Sequence, residues 1–376
     1  MKRIHVAAIL MFLFTACKPA TTIVPTPTPT LVPLPPTSTN TLIQTETKTP
    51  IPSITSTTTA TKTSSTTLTV ISATTVSEMT KLLSEAQLPV INDCDWSPDS
   101  TQVAVATENG TFLYWLDGRE PIRLAQGYNH HLAFSPDGRF LATDMAHGAT
   151  IFDPATQKLV AALDTKSYPP GPILWTPTGD TLLLSIPIFP MTDLYIYLSS
   201  WEVLHWSENT TIETNQGGLP NQMVLSPDGA ILGTSSYEDL RVHFWEFPNL
   251  YPLAEYEGTS VAYSPEGSLA AASNENVILI LEPPTFRTRH TLLGLRYDKY
   301  SEVELSFSPD GRILASGGKT LQLWDTSTGK LLRTFEPFQS PISCLRFSPN
   351  GRFLLSTTKA SQIDEHDAVL MVWAVK

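Results

Sequence analysis

The hydrophobic pattern of this chain consists of short apolar runs separated by turn-forming residues, from about residue 79 to the end. A turn of the form Ser/Thr-Pro-x-Gly/Ser recurs seven times. A large apolar residue always precedes it: Trp96, Phe134, Trp175, Leu225, Tyr263, Phe307 and Phe347. Successive turns lie 38, 41, 50, 38, 44 and 40 residues apart. A fixed turn at a period near 40 residues predicts a repeat architecture.

The sixth unit shows the predicted elements of one repeat. Residues 306–308 end a first strand, and residues 309–311 form the turn. Further strands are predicted at residues 313–316, 321–325 and 330–335. Proline presets φ at the first turn position, and glycine accepts the positive φ at its end. Four strands joined by tight turns within one repeat predict an antiparallel sheet of the size of a propeller blade.

The third strand of this unit carries a family resemblance. Residues 321–325, Leu-Gln-Leu-Trp-Asp, followed by Thr-Gly-Lys at 328–330, resemble the WD repeat, a family of eukaryotic and bacterial β-propellers. Looser versions of the same strand occur at residues 113–117, 150–153, 242–246 and 369–373. The family's Gly-His dipeptide before the first strand is missing, so its His–Ser–Trp–Asp hydrogen-bond network is not assumed here. The resemblance covers about residues 79–376 and implies an all-β, seven-bladed β-propeller of four-stranded antiparallel blades.

The ends of the repeat region predict how the ring closes. The last unit has three strands and no fourth, whereas residues 79–86 offer a spare strand ahead of the first turn. Residues 81–83, Lys-Leu-Leu, resemble residues 330–332, which occupy a fourth-strand position. We therefore predict that the N-terminal strand completes the last blade, which leaves no open sheet edge between the first and last blades.

Residues 1–16 have the pattern of a secretory signal peptide. Lys2 and Arg3 precede an apolar run, residues 4–14, that is too short to span a bilayer. Thr15-Ala16-Cys17 follows and resembles a bacterial lipobox, although Phe14 stands where that family usually has leucine. The resemblance implies that Cys17 is lipidated and anchors the protein, extracytoplasmic, in the bacterial cell envelope. The alternative is an ordinary signal peptide in which Cys17 is incidental.

Residues 17–78 are rich in threonine, proline and serine, and no aromatic residue occurs between Cys17 and Trp96. Such a segment buries too little apolar surface to offset its conformational entropy, so we predict a disordered linker. With a lipidated Cys17 it would hold a folded domain, residues 79–376, away from a membrane.

The charge of the chain excludes one class of partner. The formal net charge is −12, and residues 79–376 hold 19 basic and 34 acidic residues, a net of −15. Because so acidic a surface repels phosphate backbones, nucleic acid is not expected as a partner.

The sequence shows no recognisable catalytic motif, so we expect neither an enzyme nor a cofactor. His130 and His131 are adjacent and point to opposite sides of an extended chain, which argues against a shared metal ion. The loop from Asp364 to Asp367 carries oxygen donors suited to calcium, but without the spacing of a calcium loop a solvated acidic loop is favoured. We predict no metal site.

Cys94 and Cys344 lie in the first and last units, which ring closure makes neighbours. An oxidising compartment would permit a disulfide between them. However, Cys94 lies three residues before its turn serine and Cys344 four, so their side chains are predicted on opposite sides of the pleat. We therefore expect two small buried residues that are not paired.

The resemblance also implies where a ligand would bind. In the propeller family, loops from fourth to first strands and from second to third strands share one face, opposite the Ser-Pro turns. Aromatic residues and arginine in these loops are the candidate binding residues: Tyr128, His130, His131, Tyr168, Arg296, Tyr297, Tyr300 and Phe338.

The favoured function is a membrane-anchored scaffold that binds a protein or another surface ligand through this loop face. One alternative is an exported propeller enzyme, of hydrolase or lactonase type, with a site at the central channel. Another is a sensor or assembly component of the envelope. Fold alone does not separate the three.

Overall fold

The computed structural model describes residues 68–165, 171–186, 197–213, 219–273, 277–294, 303–359 and 368–375. The predicted signal peptide, Cys17 and most of the predicted linker lie outside these residues. In the described part, no helix is both long and apolar enough to cross a membrane.

The described residues form strands and one 3-10 helix, Val76–Glu78. In chain order the strands are β1 (Met79–Leu88), β2 (Ile91–Trp96), β3 (Gln102–Thr107), β4 (Gly110–Trp115), β5 (Ile122–Gln126), β6 (Leu132–Phe134), β7 (Leu141–Met145), β8 (Gly148–Asp153), β9 (Lys158–Asp164), β10 (Ile173–Trp175), β11 (Thr181–Ile186), β12 (Tyr197–Glu202), β13 (Ser207–Glu213), β14 (Gln222–Leu225), β15 (Ile231–Ser236), β16 (Arg241–Glu246), β17 (Tyr251–Glu257), β18 (Ser260–Tyr263), β19 (Ala270–Ser273), β20 (Val277–Glu282), β21 (Arg287–Leu293), β22 (Glu304–Phe307), β23 (Ile313–Gly317), β24 (Leu321–Asp325), β25 (Leu331–Thr334), β26 (Ile342–Phe347), β27 (Phe353–Thr358) and β28 (Ala368–Val375).

These strands make seven four-stranded sheets, each of which is one blade. The first six blades run in simple order, from β2-β3-β4-β5 to β22-β23-β24-β25. The seventh has the order β1-β28-β27-β26, and every pairing is antiparallel. The first strand of each blade lines a central channel. The predicted seven-bladed β-propeller is confirmed.

The recurrent turn is a hydrogen-bonded structural device. In the sixth blade Gly311 donates its N–H to the carbonyl of Ser308 over 2.8 Å, at a φ of 68° that favours glycine. The Ser308 hydroxyl donates to Asp310 (2.6 Å) and accepts from the N–H of Ile313 (3.0 Å). The same side-chain acceptor occurs in the other six turns, at Ser97, Ser135, Thr176, Ser226, Ser264 and Ser348.

Ring closure follows the prediction. β1 pairs with β28 and supplies the fourth strand of the last blade, beginning with Met79 opposite Val375 and reaching Leu88 opposite Ala368. Because Met79 is buried in the core between the sixth and seventh blades, this strand also contributes to packing.

Packing of the N-terminal segment begins before residue 79, where the sequence placed the end of the linker. Thr69 bridges to Val375, and Ile71 donates its N–H to the Gly351 carbonyl over 2.9 Å. Ile71 and Val76 are buried in the same apolar cluster as Met79. Residues 68–78 therefore form part of the folded domain. Aliphatic side chains in a largely polar stretch therefore help to dock it, together with backbone bonds to the last blade.

Three blades contain part of the hydrogen-bond network typical of WD repeats. Trp324 and Trp373 donate their indole N–H to Ser316 and Ser356, each over 2.9 Å. Trp245 donates to Thr234 over 3.0 Å in the fourth blade, where His243 also contacts Asp239 at 2.8 Å. In that blade a histidine from the third strand itself contacts the aspartate of the preceding turn.

Cys94 and Cys344 form a disulfide, with Cα atoms 5.9 Å apart, so the expectation of unpaired cysteines was wrong. Alternation along the pleat separates side chains only within one sheet. These two residues belong to different blades, which stack with the front of one sheet against the back of the next. Side chains on opposite sides of their own sheets therefore meet in the shared core, where both cysteines are buried.

Candidate functional site

The loops that were predicted to share a face do lie together. Asn129, between β5 and β6, donates its N–H to the carbonyl of Thr107, at the end of β3. Phe338, between β25 and β26, donates its N–H to Lys319, between β23 and β24. We call this side of the ring the loop face and the side of the Ser-Pro turns the turn face.

Tyr128 and His130 form an aromatic pair on the loop face. Tyr128 is 51% exposed, and its ring centroid lies 4.5 Å from that of His130. Its hydroxyl donates to Glu108 over 3.2 Å, and burial together with this carboxylate raises the pKa of Tyr128. The pair offers an apolar surface with a polar edge, which is typical of residues that anchor protein interfaces.

One buried carboxylate holds this loop in place. Asp144, at the end of the second blade's second strand, accepts the N–H of His130 (2.8 Å) and of His131 (3.0 Å). The Asn129 side-chain amide donates to the Asp144 carbonyl. Burial raises the pKa of Asp144 to about 7, because the desolvation cost exceeds the gain from these amide donors. The loop is therefore fixed before any partner arrives.

Burial lowers the pKa of both histidines. Burial lowers the pKa of His130 against an opposing attraction from Glu108. Burial, with a smaller contribution from His130, lowers the pKa of His131 to about 3. Their ring centroids lie 6.2 Å apart, and both line the channel mouth.

Of the other predicted binding residues, the structure describes only Phe338, which does not join this cluster. Phe338 is half-buried and packs edge-on against Trp373, with ring centroids 6.3 Å apart, so it contributes to the core of the last blades. Four predicted residues, Tyr168, Arg296, Tyr297 and Tyr300, lie outside the described part of the chain, as does the acidic loop 364–367.

A central channel of about 670 Å³ opens on the loop face, where His130, Tyr237 and Lys359 line it. One wall of the channel is charged, and the facing wall carries apolar side chains together with His131 and Gln222. The charged wall is formed by the first, sixth and seventh blades and carries Asp93, Asp95, Glu304 and Arg346. The apolar side chains of the facing wall are Ala133, Leu174, Val224 and Ala262.

The charged wall is an ion-pair network that spans three blades. Arg346 Nη1 lies 3.1 Å from Glu304 Oε2, and Arg346 Nη2 lies 3.7 Å from Asp93 Oδ1. Gln222, on the fourth blade, donates its amide to Glu304 over 2.8 Å. Sequence reasoning missed this group. Two of its members could have been found in the repeat. The residue just before the large apolar anchor is Asp95 in one unit and Arg346 in another, whereas the other units have alanine, leucine, valine or serine there.

Polar side chains of the innermost strands also connect some neighbouring blades. Asp95 accepts the N–H of Phe134 over 2.9 Å, and Asp93 accepts that of Leu132 over 3.3 Å. Burial raises the pKa of both carboxyls, that of Asp95 to about 6. Ser306 accepts an N–H from the following blade in the same way. These side chains satisfy amides at the inner sheet edges, which is a structural role.

The described residues contain no group of three or more His, Cys, Asp or Glu side chains placed to hold a metal ion. The channel carboxylates are engaged with amides and with Arg346, and the turn serines with their own turns. The arrangement that remains open to a ligand is the loop face with the channel mouth.

Three segments of the chain, residues 79–115, 299–325 and 329–373, match the family "WD domain, G-beta repeat". The matches cover less than half of the chain, but together with the seven blades they support a WD-repeat β-propeller.

Three relatives share parts of this region. "Periodic tryptophan protein 2 homolog" of Dictyostelium discoideum is 30% identical over 42% of this chain and 18% of its own length. "Eukaryotic translation initiation factor 3 subunit I" of Phaeosphaeria nodorum is 50% identical over 14% of this chain and 16% of its own. An uncharacterized WD repeat-containing protein of Synechocystis is 25% identical over 39% of this chain and 43% of its own. The chain spans less than half the length of each.

Proposed function

We propose that this protein is a membrane-anchored, extracytoplasmic scaffold that binds a partner protein through its loop face and carries out no reaction of its own. The WD-type repeats support an interaction role, because the matched relatives include a subunit of a larger translation factor. The sequence of residues 1–17 supports export and a lipid anchor at Cys17.

The observation that carries this proposal is where the chain joins the propeller. Ile71 bonds to Gly351 in the Ser-Pro turn of the last blade, and Thr69 pairs with Val375 at the end of β28. Both contacts lie at the turn face, so the described chain enters the propeller on that face. A tether on the turn face leaves the loop face, with Tyr128 and the channel mouth, free to meet a partner.

The binding face is tested by affinity capture with residues 68–376, a domain that keeps the docked N-terminal segment. The change Tyr128→Ala with His130→Ala is expected to reduce recovery of a captured partner at least about tenfold, as loss of an interface anchor does. Tyr251→Ala is the matched control, because Tyr251 is also exposed (63%) but follows a turn on the opposite face. Equal recovery with all three proteins contradicts a loop-face interface.

The anchor is tested separately in cells. Cys17→Ser is expected to move the protein from the membrane fraction to the soluble fraction and to abolish labelling by a fatty-acid probe. Ser53→Ala, in the same Thr/Pro/Ser-rich segment, should change neither. If the Cys17→Ser protein stays in the membrane fraction, Cys17 is not the anchor, and only the proposed export remains.

An enzyme with a site in the channel is the second candidate, because Asp93 and Asp95 have raised pKa values and face an open cavity. Their amide bonds favour the structural role instead. Hydrolysis of a panel of chromogenic phosphate-ester, lactone and glycoside substrates, lost on Asp95→Asn while the melting temperature is kept, would overturn the scaffold proposal.

A further inference from the structure

The seam between the first and last blades is crossed at both of its radial edges. At the outer edge, β1 pairs with β28, beginning with Met79 opposite Val375. At the inner edge, the disulfide joins Cys94 of β2 to Cys344 of β26 across a sequence separation of 250 residues. The two connections are independent, because the backbone bonds of β1 take no part in the inner one.

The inner edge is packed without help from β1. Trp96 of the first blade donates its indole N–H to the carbonyl of Arg346 in the last blade over 3.1 Å. The Trp96 ring stacks on Phe353, with centroids 5.7 Å apart. Cys94 and Cys344 are each 1% exposed within this packing. Both cysteines are therefore almost completely shielded from solvent in the closed ring.

Opening of the ring is expected to begin at the outer edge, with detachment of β1. β1 is a terminal strand at the rim of its sheet, and such strands open at lower free energy than core strands. It directly follows the N-terminal residues, so cleavage or tension there reaches β1 first. The Arg333 side chain opposes detachment of β1. Its Nη1 donates to the carbonyls of Val76, Ser77 and Met79 over 2.8, 3.1 and 2.9 Å.

We infer that the disulfide is a redox-dependent second latch of the ring. With the disulfide formed, detachment of β1 leaves the first and last blades joined, so opening stays local to β1 and β28. With two thiols in its place, the seam is held only by β1 and by non-covalent packing such as that of Trp96, and detachment of β1 then opens all the blades. A dithiol reductant makes the change: it gives two electrons and two protons to the Cys94–Cys344 bond and is itself oxidised to a disulfide.

The test weakens β1 in the full-length chain, with and without the disulfide. Met79→Asp with Leu88→Asp places charges at two buried positions of β1, and Leu82→Asp, on the same strand but 37% exposed, is the matched control. Each change is made in the native background and in Cys94→Ser with Cys344→Ser. Hydrogen exchange by mass spectrometry then follows peptides from β1, from β28 and from the innermost strands of the second to sixth blades.

With the cysteines present, the buried aspartates are expected to speed exchange only in β1 and β28. Without the cysteines, the same change is expected to speed exchange in every innermost strand by at least about tenfold. Leu82→Asp should not speed exchange in either background. Equal exchange of the innermost strands in the two backgrounds overturns the latch, as does mass spectrometry of the non-reduced protein that finds both thiols free.

If the variants fail to fold, a second measurement on the unmutated chain tests the same inference. The unmutated chain is compared in dithiothreitol and in oxidising buffer at rising denaturant. The oxidised chain is expected to lose protection in β1 before the innermost strands, and the reduced chain to lose both together. One common transition in both buffers contradicts the inference. Neither result depends on a partner or on the anchor, so the latch and the proposed function fail separately.

Discussion

The guanidinium of Arg346 lies 3.1 Å from the carboxylate of Glu304, and the pair joins the last blade to the sixth inside the channel. Glu304 is almost fully buried, whereas the Arg346 side chain is about one-third exposed. Removing the cation leaves buried carboxylates without their partner, which costs more than removal of an exposed ion pair.

We therefore expect Arg346→Met to lower the free energy of unfolding by about 2–3 kcal/mol. Arg139→Met is the control, because its ion pair with Asp137 is mostly exposed, and the expected loss is below about 0.5 kcal/mol. Glu304→Gln added to Arg346→Met should restore part of the loss. Denaturant unfolding measures all of these values, and equal losses for the two arginines would contradict a structural network.

The pH dependence of stability should reveal the buried carboxyl under the loop face. Burial raises the pKa of Asp144 from about 3.9 in the unfolded chain to about 7 in the folded one. The folded state then binds the proton more tightly, so this group's contribution to stability falls as pH rises from about 4 to about 7 and is constant above. Asp144→Asn removes that slope and keeps an acceptor for the amides of His130 and His131.

The measurement is the melting temperature of both proteins from pH 4.5 to 8. The melting temperature of Asp144→Asn should gain on that of the unmutated protein as pH rises to about 7, and the difference should then stay level. Carboxyls with lowered pKa values, such as Asp99, act equally in both proteins and cancel in the difference. Parallel curves would show that Asp144 is not a buried acid with a raised pKa.

The hydrogen bond between Trp324 and Ser316 should be measurable by a double-mutant cycle. Both side chains are buried, and the bond is 2.9 Å long. We expect Trp324→Phe and Ser316→Ala each to destabilise the protein by about 1–3 kcal/mol, because each leaves a buried polar group unpaired or a small cavity. The two changes together should cost about 1 kcal/mol less than their sum. Additive losses would mean that the bond contributes nothing specific.

Arg333 should matter more for stability than other surface arginines. Its guanidinium binds three carbonyls of the N-terminal segment and lies 4.2 Å from the centroid of the Phe335 ring. Arg333→Met is expected to lower the free energy of unfolding by about 1–2 kcal/mol. It should also speed proteolytic cleavage within residues 68–78.

The exposed Arg312, in the turn of the same blade, gives the control variant Arg312→Met, with an expected change within about 0.5 kcal/mol. If the two variants melt alike and are cleaved alike, Arg333 does not hold the N-terminal segment.

Local sequence was sufficient where local chemistry decides the backbone. The turn at Ser308 forms because proline, aspartate and glycine prefer its backbone angles, and the serine hydroxyl then finds its amide five residues on. The closing strand was predictable because the last blade lacked a fourth strand. Docking of Ile71 was not predictable, because the few aliphatic residues of this polar segment show no sustained alternation.

The candidate site was predictable only in part. The shared face of the loops followed from the family resemblance, and the contact between Tyr128 and His130 on it came only from the structure. The residues that organise the site were missed. Asp144 lies in a strand whose sequence pattern is typical of a buried core strand. Its role depends on the amides of His131 and His130, which are 13 and 14 residues away.

By itself the sequence determined the period, the turns and the number of blades, because each rests on interactions within about 40 residues. It also indicated the closing strand, because the last blade lacked a fourth strand, although that strand pairs Met79 with the distant Val375. Only the tertiary structure decided which distant residues meet. Cys94 pairs with Cys344 across 250 residues, and Arg346 meets Glu304 across 42. Ring closure brings the two ends of the repeat region together, and stacking turns the opposite faces of adjacent sheets toward one another. Neither effect is encoded in the alternation of a single strand.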